Sequence, residues 1–331
     1  MINISVIGGS GFIGTRLVGR MLAKGDYQVT IIDKAKSLRY PQATVIADIR
    51  SLPQLSQALE AGSVVVHLAA EHRDDVRPRE LYDEVNVQGT RNLVTVAEEK
   101  GISTIIFTSS VAVYGFAPVG AGEDAAINPF NDYGRTKFLA EEVLRAWQAR
   151  APKERTLCII RPTVVFGERN RGNVFNLFRQ VASGRFVMVG SGKNRKSVAY
   201  VENVAAFIEH CLSHQPGSYL YNYVDKPDFD MNEFVGLINK AMGRERGLNI
   251  RLPYSMGIAL GTAADVFSRL TGRSLAISRV RVQKFCANSV YVSAVDGTNF
   301  VRPIALSDAI WKTISYEFLE SHESTDVFYS E

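Results

Sequence analysis

The sequence predicts an α/β fold, a doubly wound parallel sheet flanked by helices and followed by a second, smaller α+β lobe. Three observations carry this expectation. In the first half, short apolar runs rich in β-branched residues alternate with longer helical patterns, as strands joined by crossover helices do. After Gly167 that rhythm loosens into short helices and loops rich in Arg, Asn and Gly. The length of 331 residues also exceeds the size at which a single hydrophobic core keeps growing.

The predicted strands are residues 4–8, 28–33, 44–47, 64–68, 104–108 and 158–162. Their continuous apolarity implies burial on both faces. Predicted helices fall at 12–24, 54–60, 81–100 and 133–149, with a later one at 231–242. The division is placed between residues 165 and 166. Residues 1–165 form the sheet domain and 166–331 a lobe that closes over the carboxyl edge of the sheet, with some later segments returning to the first domain.

The glycines of Gly8-Gly9-Ser10-Gly11-Phe12-Ile13-Gly14 stand between the first strand and its helix at the spacing GxxGxxG. A tight turn there lets backbone amides approach a pyrophosphate at a helix N-terminus, a Rossmann arrangement. Asp33 ends the second strand, where a carboxylate suits the adenosine ribose and opposes a 2′-phosphate, so NAD is the expected cofactor. Lys34 beside it leaves NADP as the alternative. Asp48-Ile49 and Leu68-Ala69-Ala70 follow the third and fourth strands, and Thr108 and Pro162 close the fifth and sixth, completing this side of the expected cofactor site.

Tyr133-Gly134-Arg135-Thr136-Lys137 reads as YxxxK at the head of a helix. Positions i and i+4 share a helical face, so the Lys137 ammonium is expected near the Tyr133 phenol and the nicotinamide ribose, favouring phenolate. Ser110, after the fifth strand, is placed to hydrogen-bond the substrate oxygen as the proton moves. Ser110, Tyr133 and Lys137 form the expected catalytic set.

These motifs, with Asn86 in Asn86-Val87-Gln88-Gly89-Thr90, Val113-Tyr114-Gly115 and the closing 297–303 segment, resemble the nucleotide-sugar epimerase/dehydratase branch of the extended short-chain dehydrogenases. The resemblance covers nearly the whole chain. It implies reversible hydride transfer on a hexose, adds Asn86 to the cofactor residues, and implies a homodimer through the 81–100 and 133–149 helices. The dehydratases' Asp-Glu pair is here Val111 and Ala112, which argues against loss of a C6 hydroxyl. Val164 stands where the epimerases carry Asn, and Lys196 where they carry Arg, both in the nucleotide-diphosphate region.

Ala70–Val76, Gly167–Val174, Val280–Ala287 and the terminal Ser330-Glu331 are similar to a narrower group, the bacterial 4-epimerases of O-antigen assembly that act on a polyprenyl-diphosphate-linked amino sugar. That likeness implies interconversion of GlcNAc-diphospho-undecaprenol and its GalNAc epimer. His72 and Arg73 are expected near the sugar, and Arg169, Arg171, Arg195 and Lys196 near the diphosphate. The alternatives are a UDP-GlcNAc or UDP-glucose 4-epimerase, a reductase of NDP-4-keto-6-deoxy sugars, and an NAD-binding regulator without turnover.

The net charge of +4 is too mild to indicate nucleic acid. The chain opens directly on an apolar strand without a basic leader, so a cytoplasmic location is expected. Cys158, Cys211 and Cys286 are far apart, without metal or redox spacing, and read as three reduced buried thiols with no metal. Trp147 and Trp311 read as packing residues. Between Arg244 and Lys284, eight cations (Arg244, Arg246, Arg251, Arg269, Arg273, Arg279, Arg281, Lys284) face two acids, Glu245 and Asp265, for a local charge of +6. This window encloses the apolar stretch 252–261, too short to span a bilayer. It is either a core helix beside a phosphate-binding rim or a helix lying peripherally on an anionic membrane surface, which would place the protein at the inner face of the cell membrane.

Overall fold

The computed structural model describes residues 1–73, 76–244, 250–271, 278–322 and 326–329. Asp74, Asp75, Glu245, Arg246, Arg273, Ser330 and Glu331, singled out in the sequence, lie outside these residues. The first half runs β1 (Ile2–Ile7), α1 (Phe12–Lys24), β2 (Tyr27–Asp33), β3 (Thr44–Ile46), α2 (Leu52–Ala58), β4 (Val64–His67), α3 (Glu80–Tyr82), α4 (Gly89–Glu99), β5 (Thr104–Thr108), α5 (Asp132–Ala149) and β6 (Thr156–Pro162). The predicted helix at 81–100 is thus interrupted: a π-helical stretch, Asp83–Gln88, joins α3 to α4 and carries Asn86.

The second half contributes β7 (Val164–Phe166), α6 (Asn173–Ala182), β8 (Val187–Val189), β9 (Arg195–Tyr200), α7 (Val201–His210), β10 (Gly217–Tyr223), β11 (Asp225–Asp230), α8 (Met231–Ala241), β12 (Ile250–Leu252), α9 (Tyr254–Thr271), α10 (Arg279–Cys286) and α11 (Leu306–Ile314). The large sheet has seven strands in the order β10-β6-β5-β4-β1-β2-β3, paired parallel throughout. The order reverses between β1 and β4, which opens a crevice at their carboxyl ends.

Apolar layers cover both faces of the sheet's inner strands, but the edge strand β3 is not buried as expected: with one neighbour only, it leaves Val45 42% and Ile46 56% exposed. Leu17, Val18, Met21, Val204, Phe207 and Ile208 of α1 and α7 pack on one face. Leu55, Leu93, Val96, Ala140, Leu144 and Trp147 pack on the other. A separate core around Phe166, Phe178, Tyr200, Phe234 and Ile310 holds the later elements together.

Three other sequence expectations change. Trp147 is fully buried, but Trp311 is 56% exposed on the outer side of α11. Cys158 and Cys211 are buried and, although distant in sequence, their sulfurs and a His214 ring nitrogen lie within 4.8 Å of one another. Burial and the Cys158 neighbour push the Cys211 thiol up, so Cys211 packs as a protonated, apolar group. Cys286 is only half-buried. Finally, the 252–261 stretch lies largely within α9, whose large apolar residues point outward, so it is not a core helix. Among the described residues, no helix is long and apolar enough to cross a membrane.

Candidate active site

The glycine-rich turn forms because side chains would collide there. Gly8 has φ +80°, and a Cβ on it would stand 2.5 Å from the Ala69 backbone nitrogen. The turn therefore packs directly on Leu68-Ala69 at the end of β4. A Cβ on Gly14 would stand 2.5 Å from Gly9 Cα, so α1 can start this close to the turn only with glycine there. Gly11 is the N-cap of α1, no side chain caps that end, and the first turn holds no acid. Uncapped amides and the positive end of the helix dipole are the donor set that a pyrophosphate fits. Phe12 and Ile13 open the helix beside it.

Asp33 binds the turn to β2: one carboxylate oxygen accepts from the Ser10 amide and the other from the Ala35 amide, each at 3.0 Å. Lys34 pairs with Glu71 at 3.1 Å. Asp48 is held by Arg50, which keeps its carboxyl below the usual range. Ile49 is buried beneath Gly89, where a Cβ would come within 2.8 Å of Ile49 Cγ2. Ala70 directly precedes Glu71. Asn86 clasps that residue: its side chain accepts from the Glu71 amide at 2.8 Å and donates to the Glu71 carbonyl at 3.0 Å and to Thr136 Oγ1 at 2.9 Å. Thr108 and Pro162 are buried at the ends of β5 and β6.

The structure brings Ser110 and Tyr133 into a shared hydrogen bond. Ser110 caps a 3-10 turn, Val111–Tyr114, accepting from the Ala112 amide at 3.1 Å. Asn131 caps α5, accepting from the Gly134 amide at 2.9 Å. A Cβ on Gly134 would lie 2.4 Å from the Ala112 carbonyl oxygen, so this glycine allows the head of α5 to touch the Ser110 turn. Lys137 follows one helical turn later, 2% exposed, its ammonium 4.1 Å from the centre of the Phe107 ring.

Burial pushes Lys137 down to about 7, against the opposing pull of Glu141. Burial also pushes the Tyr133 phenol up, and the Ser110 hydrogen bond is the only opposing influence. The expected lowering of Tyr133 by Lys137 is not found in the chain by itself: burial dominates, and the influence that opposes it comes from Ser110.

The residues expected at the substrate are not gathered in one place. His72 and Arg73 lie exposed in the loop after β4. Arg169 reaches Tyr316 Oη at 2.6 Å, and Arg171 pairs with Glu317 at 2.9 Å, both near the Tyr200 end of β9. Arg195 and Lys196 occupy the opposite end of β9. Arg195 is exposed, whereas Lys196 donates to the Lys284 carbonyl at 2.7 Å and is pushed by burial down to about 8.

A cavity of about 600 Å³ lies on that second side, lined by Phe116, Val189, Ser191, Asn194, Tyr254 and Cys286 among others. Phe116, on its wall, stacks on Phe130, while Ser110, Tyr133 and Lys137 are not among its lining residues. Sequence reasoning missed this cavity. Its one readable signal is Gly190-Ser191-Gly192-Lys193-Asn194, a turn between two short strands.

The model of the family described as NAD dependent epimerase/dehydratase matches residues 4–222. The N-acetyl-alpha-D-glucosaminyl-diphospho-ditrans,octacis-undecaprenol 4-epimerase of Escherichia coli O157:H7 is 47% identical over 331 residues, 99% of this chain and 99% of that protein. The UDP-glucose 4-epimerase of Vibrio cholerae is 31% identical over 287 residues, 82% of this chain and 85% of that protein. Among solved structures, the UDP-glucuronic acid 4-epimerase from Bacillus cereus in complex with NAD superposes with a TM-score of 0.72 at 19% identity, covering 95% of this chain and 98% of that one. That likeness shows the fold.

Proposed function

The chain belongs to the NAD dependent epimerase/dehydratase family, and we propose that it interconverts GlcNAc-diphospho-undecaprenol and GalNAc-diphospho-undecaprenol for O-antigen assembly. It is an NAD-dependent sugar 4-epimerase. The observation that carries the substrate is the 47% identity, sustained over 99% of both chains, to an epimerase of that lipid-linked sugar. The absence of the nucleotide-sugar epimerases' Asn at Val164 supports it from the residues.

The Gly8–Gly14 turn and Asp33 would hold NAD, which would supply reversible hydride acceptance from the sugar C4, so none would be consumed over a cycle. Tyr133 Oη takes the proton of the C4 hydroxyl and later returns it to the same oxygen. Ser110 Oγ holds that oxygen in line. Lys137, when protonated, steadies the phenolate. Between the two transfers the 4-keto sugar turns its other face. Val111 and Ala112 offer no acid to expel a C6 hydroxyl, which sets this chemistry apart from dehydration.

The finer reading has residues 1–165 hold the cofactor and 166–331 the substrate, with β10 and α7 returning to the large sheet. It adds a homodimer through the 81–100 and 133–149 helices, and a cytoplasmic protein that meets its substrate peripherally at the inner face of the membrane. The test is to incubate the purified protein with GlcNAc-diphospho-undecaprenol and, separately, with UDP-GlcNAc, then to separate the epimers. Conversion of the lipid-linked sugar is expected without added NADH. Faster conversion of UDP-GlcNAc would make the protein a nucleotide-sugar epimerase instead.

A further inference from the structure

Helix α9 turns its small residues toward the protein and its large apolar ones toward solvent. Gly257, Gly261, Ala264 and Ser268 share one face, at steps of four, three and four residues. Gly257 and Gly261 are buried. A Cβ on Gly257 would stand 2.5 Å from Val189 Cγ1, and one on Gly261 would stand 2.8 Å from the Arg279 amide nitrogen. The close seat of α9 on β8 and α10 therefore depends on these glycines.

Met256, Leu260, Ala263, Phe267 and Leu270 repeat the same spacing about a quarter turn around the helix, on its exposed side. Leu260 is 52% exposed and Leu270 81%, and Val266 and Val280 widen the strip. A surface helix ordinarily points such a strip at the core, and a contiguous exposed apolar patch marks an interaction surface.

We propose that this strip seats the protein on an anionic lipid bilayer, with the cavity mouth at Tyr254 turned toward the headgroups. Tyr254 begins α9, lines the cavity and is 47% exposed, so strip and cavity meet there. Arg251, Arg279 and Arg281 are exposed at the margins of the strip. The single acid of α9, Asp265, is already engaged, accepting from the Arg279 amide at 3.1 Å. Strip-to-strip pairing with a second copy would set these cations against their own kind, whereas anionic headgroups attract them. The helix lies in the interface and does not span it. The purpose of the seat rests on the lipid-linked substrate reading, because a polyprenyl diphosphate stays anchored in the bilayer while its sugar is turned over.

The experiment pairs vesicle flotation with two activities. Wild type and the double variant Leu260→Glu/Phe267→Glu are mixed with phosphatidylglycerol-containing vesicles and with pure phosphatidylcholine vesicles. Both proteins are then assayed on the undecaprenyl-linked sugar in vesicles and on a water-soluble short-prenyl analogue. The wild type is expected to float with the anionic vesicles, less so as salt rises. The variant should lose about tenfold in both flotation and turnover of the vesicle-bound sugar. It should keep its rate on the short analogue, which reports an intact fold and active site.

Unchanged flotation of the variant overturns the seat. So does a wild type that stays off the vesicles and elutes as a dimer that the variant breaks, which would assign the strip to a second copy. Turnover of the lipid-linked sugar without vesicle binding removes the seat and leaves the function. Vesicle binding lost in the variant, without turnover of that sugar by the wild type, keeps the seat and removes the substrate reading.

Discussion

Arg161 and Glu141 meet as an ion pair at 2.5 Å, with side chains 2% and 0% exposed. Arg161 also donates to Tyr114 Oη at 2.7 Å, and Tyr114 donates to Asn222 at 2.8 Å. Ser109, next to Ser110, donates to Glu141 at 2.5 Å. Four segments of the sheet domain are thereby tied behind the catalytic pair. Glu141→Leu would strand a buried guanidinium and should cost about 3–5 kcal/mol. Adding Arg161→Met should recover most of that loss, because a buried ion pair replaced on both sides leaves no lone charge. Denaturant unfolding of the three proteins checks this, and a double variant no more stable than Glu141→Leu would show that the pair is not the source of the loss.

Tyr133 is the group assigned to move the C4 hydroxyl proton. Tyr133→Phe keeps the ring and removes the oxygen, so NAD affinity should be retained while turnover falls at least about 10²-fold. Steady-state rates alongside a cofactor titration separate the two effects. Turnover like that of the wild type would take Tyr133 out of the mechanism.

Lys137 is buried at a cost to its own charge, since burial pushes it down to about 7 in the folded chain. The unfolded chain holds the proton up to the ordinary lysine value near ~10.4. Wild-type stability should therefore rise with pH across that interval, where the unfolded state binds more protons. Lys137→Met removes the penalty. In the absence of cofactor it should melt above the wild type, with the gain full below pH ~7 and shrinking as pH approaches the unfolded value. The same variant should lose at least about 10²-fold in turnover. Thermal melts at several pH values read the first effect, and a gain independent of pH would reject the buried-charge account.

The legible parts of this molecule are those where backbone geometry restricts residue choice. The turn at Gly8–Gly14 leaves no room for a Cβ, so glycine spacing announced it, whereas the equally close approach of α5 at Gly134 rests on one glycine without a pattern. Strands buried on both faces announced themselves as unbroken apolar runs, and α1 begins and ends where its pattern does. The later elements were less readable because β7, β8 and β12 are only three residues each and carry no periodicity. The Arg161–Glu141 network was invisible for another reason: its members lie twenty residues apart and their burial is a tertiary fact. Counting cations found the basic window. That α9 lies inside out depends on which side its two glycines take, and only α10 and β8 decide that.

Val164 offers a test of how substrate choice is written. It ends 47% exposed in β7, at the position where the resemblance places an Asn in nucleotide-sugar epimerases. An exposed apolar-to-amide change away from the core should alter stability by no more than about 0.5 kcal/mol. Val164→Asn therefore isolates recognition from folding. A new amide there can donate a hydrogen bond toward a nucleotide diphosphate, at roughly 0.5–1.5 kcal/mol net. That should raise kcat/KM for UDP-GlcNAc by about two- to tenfold, the rate equivalent of such a bond. Turnover of the lipid-linked sugar should change less, since its diphosphate is followed by a chain with nothing to pair with the amide. Equal changes for both substrates would place Val164 outside the discriminating contacts and leave Lys196, the other departure from the family pattern, as the next residue to exchange.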